Sequence, residues 1–242
     1  MREELQRTAL LLDELSLQII QSSKVAVFGI GGVGSYVVEA LARVGIGSFI
    51  LVDHDLVSIS NINRQLIALH STVGRPKVIV AKERILDVNP NASVEARQEF
   101  YLPGQDNSFL SGCSYIVDAI DTVASKLALV EAAEKTGLPI LSSMGTGNKL
   151  DPSRFQIGDI VRYQRLSPMP GHAPGAAETE GVPKLKVLYS LEEPIKAQGL
   201  TRASGEKASG RYLEAFPFVP SCAGLLIAGE VIRDLIQMPE LK

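Results

Sequence analysis

The sequence predicts an α/β fold, a doubly wound and mostly parallel sheet with helices on both faces. Two observations predict it. Short apolar runs at residues 25–28, 49–52, 115–117 and 139–142 alternate with longer stretches of helical periodicity. Strands that are apolar on both faces belong to parallel sheets covered by helices. The second observation is a turn, Gly29-Ile30-Gly31-Gly32-Val33-Gly34, which joins the first run to a helical stretch, while the second run ends in Asp53. Strand, glycine turn, helix, strand, acid is the order of a Rossmann-like nucleotide site.

The elements follow in order. Residues 8–20 place Leu11, Leu12, Leu15, Ile19 and Ile20 at helical spacing, predicting a helix. Residues 25–28 are the first strand, 35–44 the first helix behind the turn, and 49–52 the second strand. Residues 55–69 are polar and irregular. Residues 74–88 read as a helix stopped by Asn89-Pro90. Residues 93–100 alternate weakly and are expected to form a strand. A buried strand at 115–117 leads to Asp118 and Asp121, followed by a helix over 122–136 that Gly137 ends and a strand over 139–142. Beyond Leu150 the pattern weakens. Residues 167–183 are rich in Pro and Gly, 186–189 read as a strand, and 198–210 are small and polar. Residues 216–220 lead into a final helix over 222–236. The expectation is a single domain over 1–242, with flexible loops at about 165–183 and 198–211.

Composition narrows the function classes. Apolar residues make up 45% of the 242, enough for a large core, and the formal charge of −3 argues against a strongly basic nucleic-acid footprint. The two cysteines, Cys113 and Cys222, form no CxxC pair, so no zinc is expected and each is expected to be a buried apolar residue. His54, His70 and His172 show no metal-ligand spacing. The N-terminus lacks a signal-peptide pattern, and no apolar run approaches the ~20 residues of a membrane span. The expectation is a soluble, cytoplasmic protein without a membrane partner.

In parallel sheets ligands lie at the carboxyl ends of strands, so Gly29, Asp53, Asp118, Asp121 and Ser143 should converge on one crevice. The glycine turn brings bare backbone and a helix N-terminus to phosphates. A glycine-rich turn alone most often serves a dinucleotide. Here a dense polar block follows the second strand, with Asp53, Asp55, Asn61, Arg64 and Gln65, and Lys77 stands at the next helix start. Attack at the α-phosphate of ATP needs such cations to neutralise the triphosphate and the departing pyrophosphate, and Asp121 could hold a Mg²⁺ that bridges phosphate oxygens.

At these residues the chain resembles the ThiF/MoeB/E1-like adenylating enzymes. The resemblance rests on the GxGGxG turn, Asp53-x-Asp55, Ser60-Asn61-x-x-Arg64-Gln65, Gly74-x-Pro76-Lys77 and Asp118-Ala119-Ile120-Asp121. It implies that Gly29, Gly31, Gly32 and Gly34 cradle ATP, with Asp53 on the ribose and Asp55 and Gln65 beside the nucleotide. Asn61, Arg64 and Lys77 would surround the phosphates, and Asp121 would support the metal. It also implies a homodimer in which Arg7 reaches the γ-phosphate of the partner subunit. Within that superfamily the chain is similar to the tRNA threonylcarbamoyladenosine dehydratases, through residues 7–12, 28–35, 59–65, 117–122, 142–152 and 218–221. This implies ATP-dependent cyclisation of threonylcarbamoyladenosine at tRNA position 37, with tRNA and a cysteine desulfurase system as partners. Members carry a basic insert after residues 159–160, whereas 167–183 here contain no Lys or Arg; basic residues supply much of the affinity for nucleic acid. Ser167 also replaces the Cys that some members place before a Pro.

Plainer readings stand beside these. Asp53 could cap a strand end, Arg64 and Lys77 could be solvated charges, and Asp121 could be the N-cap of the next helix. Asp118 could only orient a loop, and Ser143, Gly145, Thr146, Asn148 and Lys149 could form a turn or line the substrate side. Arg7 could be a helix-surface charge. At the level of function, the alternatives are adenylation of the C-terminal glycine of a ubiquitin-like sulfur carrier, an NAD(P)-dependent oxidoreductase, and a nucleotide-binding scaffold.

Overall fold

A computed structural model describes residues 2–161, 185–195 and 215–238. The two loops expected at about 165–183 and 198–211 lie outside these residues.

Among the described residues, seven strands form one sheet. In chain order they are β1 (Lys24–Phe28), β2 (Ser48–Val52), β3 (Ser93–Arg97), β4 (Tyr115–Asp118), β5 (Ile140–Ser143), β6 (Phe155–Asp159) and β7 (Lys186–Ser190). Their spatial order is β3-β2-β1-β4-β5-β7-β6, parallel throughout except for the antiparallel β6–β7 pair. Along β1, Val25 and Val27 enter one core and Ala26 and Phe28 another, all four fully buried. Apolarity on both faces is therefore what a central parallel strand requires.

Among the described residues the sheet is flanked by α1 (Gln6–Ala9), α2 (Glu14–Ser22), α3 (Gly34–Val44), α4 (Lys77–Val88), α5 (Val123–Thr136) and α6 (Phe218–Leu235). Val37, Leu41, Val78, Ile85, Ile227 and Val231 pack into the first core, and Leu129, Ala132 and Ala133 of α5 into the second. The sheet is thus covered on both faces. The chain leaves β1 toward β2 on one side, while β4 takes the other side of β1. This reversal opens a crevice at the carboxyl end of β1, where the glycine turn begins.

Several boundaries differ from expectation. The helix expected over 8–20 is two helices, because Asp13 adopts an extended backbone and its side chain accepts a hydrogen bond from Ser16 N at 2.7 Å, starting α2 afresh. The strand expected over 93–100 stops at Arg97, where its pairing with β2 ends. The last helix begins at Phe218 rather than 222, with Pro220 in its first turn, where a missing N–H costs no helical bond. β6 was not expected at all. It is an edge strand with only Phe155 buried, so it lacks the apolar run that marks the central strands.

Candidate functional site

The glycine turn is built by close approach. Gly29 N donates to the Val52 carbonyl at 2.8 Å. Gly29 holds φ at +85°, and a Cβ there would lie 2.6 Å from the Ala119 carbonyl oxygen. A Cβ on Gly34 would run into the Gly29 carbonyl oxygen. The turn is thus locked between β1, the β4 end and the start of α3, and no side chain caps α3. Uncapped N–H groups at a helix start attract anions.

A cleft of about 360 Å³ lies over this turn. Gly29, Gly31, Gly32, Asp53, Asp55, Asn61, Arg64, Gln65, Lys77, Asp121 and Ser143 all line it. Gly34 shapes the turn from below, and Asp118 is fully buried beneath the cleft rather than on its wall. Arg7 lies on α1, exposed and away from the cleft of its own chain.

Asp53 acts on the backbone. Its Oδ2 accepts from Ile30 N at 2.6 Å and its Oδ1 from Asp55 N at 2.8 Å, so it fixes both the glycine turn and the strand end. Each oxygen keeps lone-pair capacity for a further donor. Lys77 opens α4, and its side chain is only 5% exposed. Its ammonium donates to Asp55 Oδ2 at 2.6 Å, with no second partner among the described residues. The Arg64 Nη1 donates to the Ser60 carbonyl at 2.9 Å and to Asn63 Oδ1 at 2.8 Å. Asn61 Oδ1 accepts from Ser58 N at 3.1 Å, which holds the loop carrying Arg64. Gln65 is buried, and its Oε1 has no partner among the described residues. A buried amide oxygen without a donor calls for a partner such as water or a ligand group.

Asp121 is exposed on the cleft wall, and the N-cap position of the helix it precedes is Thr122, whose side chain makes no capping bond, so Asp121 is not the N-cap. Its only partner among the described residues is Thr122 Oγ1 at 3.5 Å, which leaves the carboxylate available to a cation. Asp53, His54 and Asp55 also bring ligand atoms within 4.8 Å of one another, a grouping that the histidine spacing did not suggest. His54 is exposed and stacks edge-on against Phe100 at 4.7 Å. Cys113 is buried, which pushes its thiol up in pKa, whereas Cys222 is partly exposed, contrary to expectation.

Sequence reasoning missed Lys126. Its Nζ lies 2.9 Å from Asp118 Oδ2, 3.2 Å from Ser142 Oγ and 2.8 Å from the Ser143 carbonyl. Asp118 Oδ1 meanwhile accepts from Ile120 N at 3.1 Å, so Asp118 does orient the following loop. A signal was available: Lys126 sits in the first turn of α5, where the helix dipole disfavours a cation. Thr146 and Gly145 line the cleft beside Ser143, while Lys149 is buried outside it and donates to the Glu192 carbonyl at 2.5 Å. Burial pushes the Lys149 ammonium down in pKa.

The arrangement can hold a polyanion on the glycine turn between Arg64 and Lys77, with a carboxylate opposite. Residues 5–242 match the ThiF family. The chain is 41% identical over 250 aligned positions to the tRNA threonylcarbamoyladenosine dehydratase of Bacillus subtilis (strain 168), covering 100% of this chain and 98% of that protein. Among solved structures it is similar to E. coli tRNA N6-threonylcarbamoyladenosine dehydratase, TcdA, in complex with AMP (TM-score 0.84, 29% identity) and in complex with ATP (TM-score 0.83, 28% identity). Each covers 98% of this chain and 95% of the other.

Proposed function

We propose, from the premise that the chain belongs to the ThiF family, that it is an ATP-dependent tRNA threonylcarbamoyladenosine dehydratase. The observation that carries this reading is the convergence of the glycine turn, Arg64, Lys77 and Asp121 on one cleft. The name of the Bacillus relative and the ATP and AMP complexes of the E. coli enzyme support the substrate and the nucleotide.

A carboxylate is a poor acyl donor, and adenylation supplies a leaving group. The threonyl carboxylate attacks the α-phosphorus of ATP, the bond to the bridging oxygen breaks, and pyrophosphate departs. The carbamoyl group of the same nucleoside then attacks the acyl carbon, gives up a proton and displaces AMP, closing the ring. The net change in the nucleoside is loss of one water.

In this reading the glycine turn holds the phosphates and Asp53 takes the ribose with its remaining lone pairs. Asn61 and Gln65 orient the nucleotide. Arg64 and Lys77 stabilise charge as it moves onto pyrophosphate, where a positioned cation acts most strongly. Asp121 would hold a Mg²⁺, which would offset the negative charge of the phosphates.

The reading includes a homodimer of single-domain chains working in the cytoplasm. Leu10, Leu11 and Leu15 are 86%, 86% and 65% exposed, an apolar surface at the N-terminus that a second copy would cover. Arg7, on the same segment, would then serve the partner's cleft. The test is incubation with ATP, Mg²⁺ and tRNA bearing threonylcarbamoyladenosine, read by mass spectrometry. The expected product nucleoside is lighter by one water, with AMP and pyrophosphate formed in equal amounts. An unchanged nucleoside with a sulfur-carrier C-terminus adenylated instead would overturn it.

A further inference from the structure

Lys126 has a geometry that nucleotide binding does not explain. Its three acceptors, Asp118 Oδ2, Ser142 Oγ and the Ser143 carbonyl, use the three N–H groups of an ammonium. Asp118 and Ser142 are fully buried, and the Ser142 hydroxyl also donates to Asp118. One cation therefore ties the carboxyl end of β4 to that of β5. From β4 runs the loop that carries Asp121, and from β5 the loop over residues 143–147. Both line the cleft. The glycine turn and Asp53 occupy its β1–β2 side, so the 143–147 wall is left for the molecule that brings the carboxylate.

We infer that Lys126 is a positioning residue for adenylyl transfer to the carboxylate: it sets the distance between the Asp121 loop on the phosphate side and the 143–147 loop on the acceptor side. The inference rests on the adenylation reading and assigns a new role within that site. A misplacement of about 1 Å between reacting groups costs on the order of a hundredfold in rate. Joints of this kind act on turnover rather than on nucleotide affinity.

The competing role is neutralisation of buried Asp118, and the two can be separated. Lys126→Met leaves Asp118 without its cation, so both stability and turnover should fall. Adding Asp118→Asn removes the buried charge. The double variant should regain the melting temperature of the parent, while kcat for pyrophosphate release stays at least tenfold low and the KM for ATP stays within about threefold. Lys126→Arg is the second variant. It keeps the charge, but a planar guanidinium cannot meet three acceptors arranged around a point charge. It should therefore lose kcat with its melting temperature near the parent's. Recovery of kcat together with stability in the double variant, or parental kcat in Lys126→Arg, would overturn the inference. A rise of the ATP KM in step with the loss of kcat would overturn it too, by making Lys126 a nucleotide contact. A parent protein that releases no pyrophosphate would instead overturn the proposed function on which it rests.

Discussion

Lys77→Met is the sharpest perturbation of the cleft, because its effects on folding and on turnover should separate. The Lys77 side chain is 5% exposed and its ammonium pairs with Asp55, whose side chain is 47% exposed. An ion pair with one partner so open to water contributes under about 1 kcal/mol to folding. Methionine fills similar space without a charge to desolvate. For a chain of this size, a loss of that order lowers the melting temperature by no more than about 4 °C. Turnover should respond differently. The two N–H groups of Lys77 not given to Asp55 are available to an anion, and loss of one preorganised donor at a developing oxyanion costs about 2.7–4 kcal/mol, or about 10²–10³ in kcat. The assay is pyrophosphate release with ATP in excess, alongside thermal unfolding followed by circular dichroism. Turnover within threefold of the parent would refute the assignment of Lys77 to the phosphates. A melting temperature lowered by more than about 10 °C would show instead that the lysine chiefly holds the fold.

A pair of glycine substitutions divides the turn by role. Gly34→Ala forces a methyl into the Gly29 carbonyl and should lower both stability and ATP affinity, whereas Gly31→Ala meets nothing closer than Gln65 Nε2 at 3.8 Å and should weaken ATP binding with little change in unfolding; calorimetric titration and thermal melts read the two effects, and equal loss of stability in both would contradict the geometry. The Glu39 carboxyl joins α3 to α4 through Arg84 at 2.7 Å and also pairs with Arg43. Burial alone would raise its pKa, but the hydrogen bonds and charges of Arg84 and Arg43 outweigh this and hold it below the ordinary 4.5. Its contribution to stability is therefore present above pH 4.5 and is lost as the pH falls through the lowered value. Glu39→Gln should destabilise the protein at neutral pH and flatten the acid limb of a urea-midpoint profile; an unchanged acid limb would remove Glu39 from the account.

The central strands were legible because burial on both faces leaves a run of apolar residues, which periodicity detects directly. β1 and β2 were placed within a residue of their observed bounds for this reason. β6 was not legible, since an edge strand needs pairing partners more than apolar side chains. The break before α2 was legible in principle, because Asp13 precedes Glu14 and Ser16 in the pattern of an N-cap. The unbroken leucine spacing across 10–15 hid it, and the structure leaves Leu10, Leu11 and Leu15 exposed rather than in a core. In the cleft, the residues read from motifs converge, but their partners could not be read. Nothing in the spacing of Asp53 says that its oxygens are used by Ile30 N and Asp55 N, and a motif does not reveal that Asp118 lies under the floor.

Lys77 and Lys126 escape the ordinary logic of helix charge in the same way. Both occupy first turns, of α4 and α5, where the helix already presents positive potential and a carboxylate is the favoured neighbour. Each is held there by an aspartate from a strand end or the loop after it, Asp55 for Lys77 and Asp118 for Lys126. The starts of α3, α4 and α5 thus meet at one crevice, and local charge preference is broken twice within it, each time with an aspartate as compensation. Rules broken at a site and compensated nearby are the expected signature of function. The same comparison separates the two lysines. The partner of Lys77 is half open to water and can yield its cation to a phosphate, whereas Lys126 has all three of its hydrogens committed to protein. On the proposed reading, Lys77 engages a ligand and Lys126 keeps the walls around it at a fixed distance.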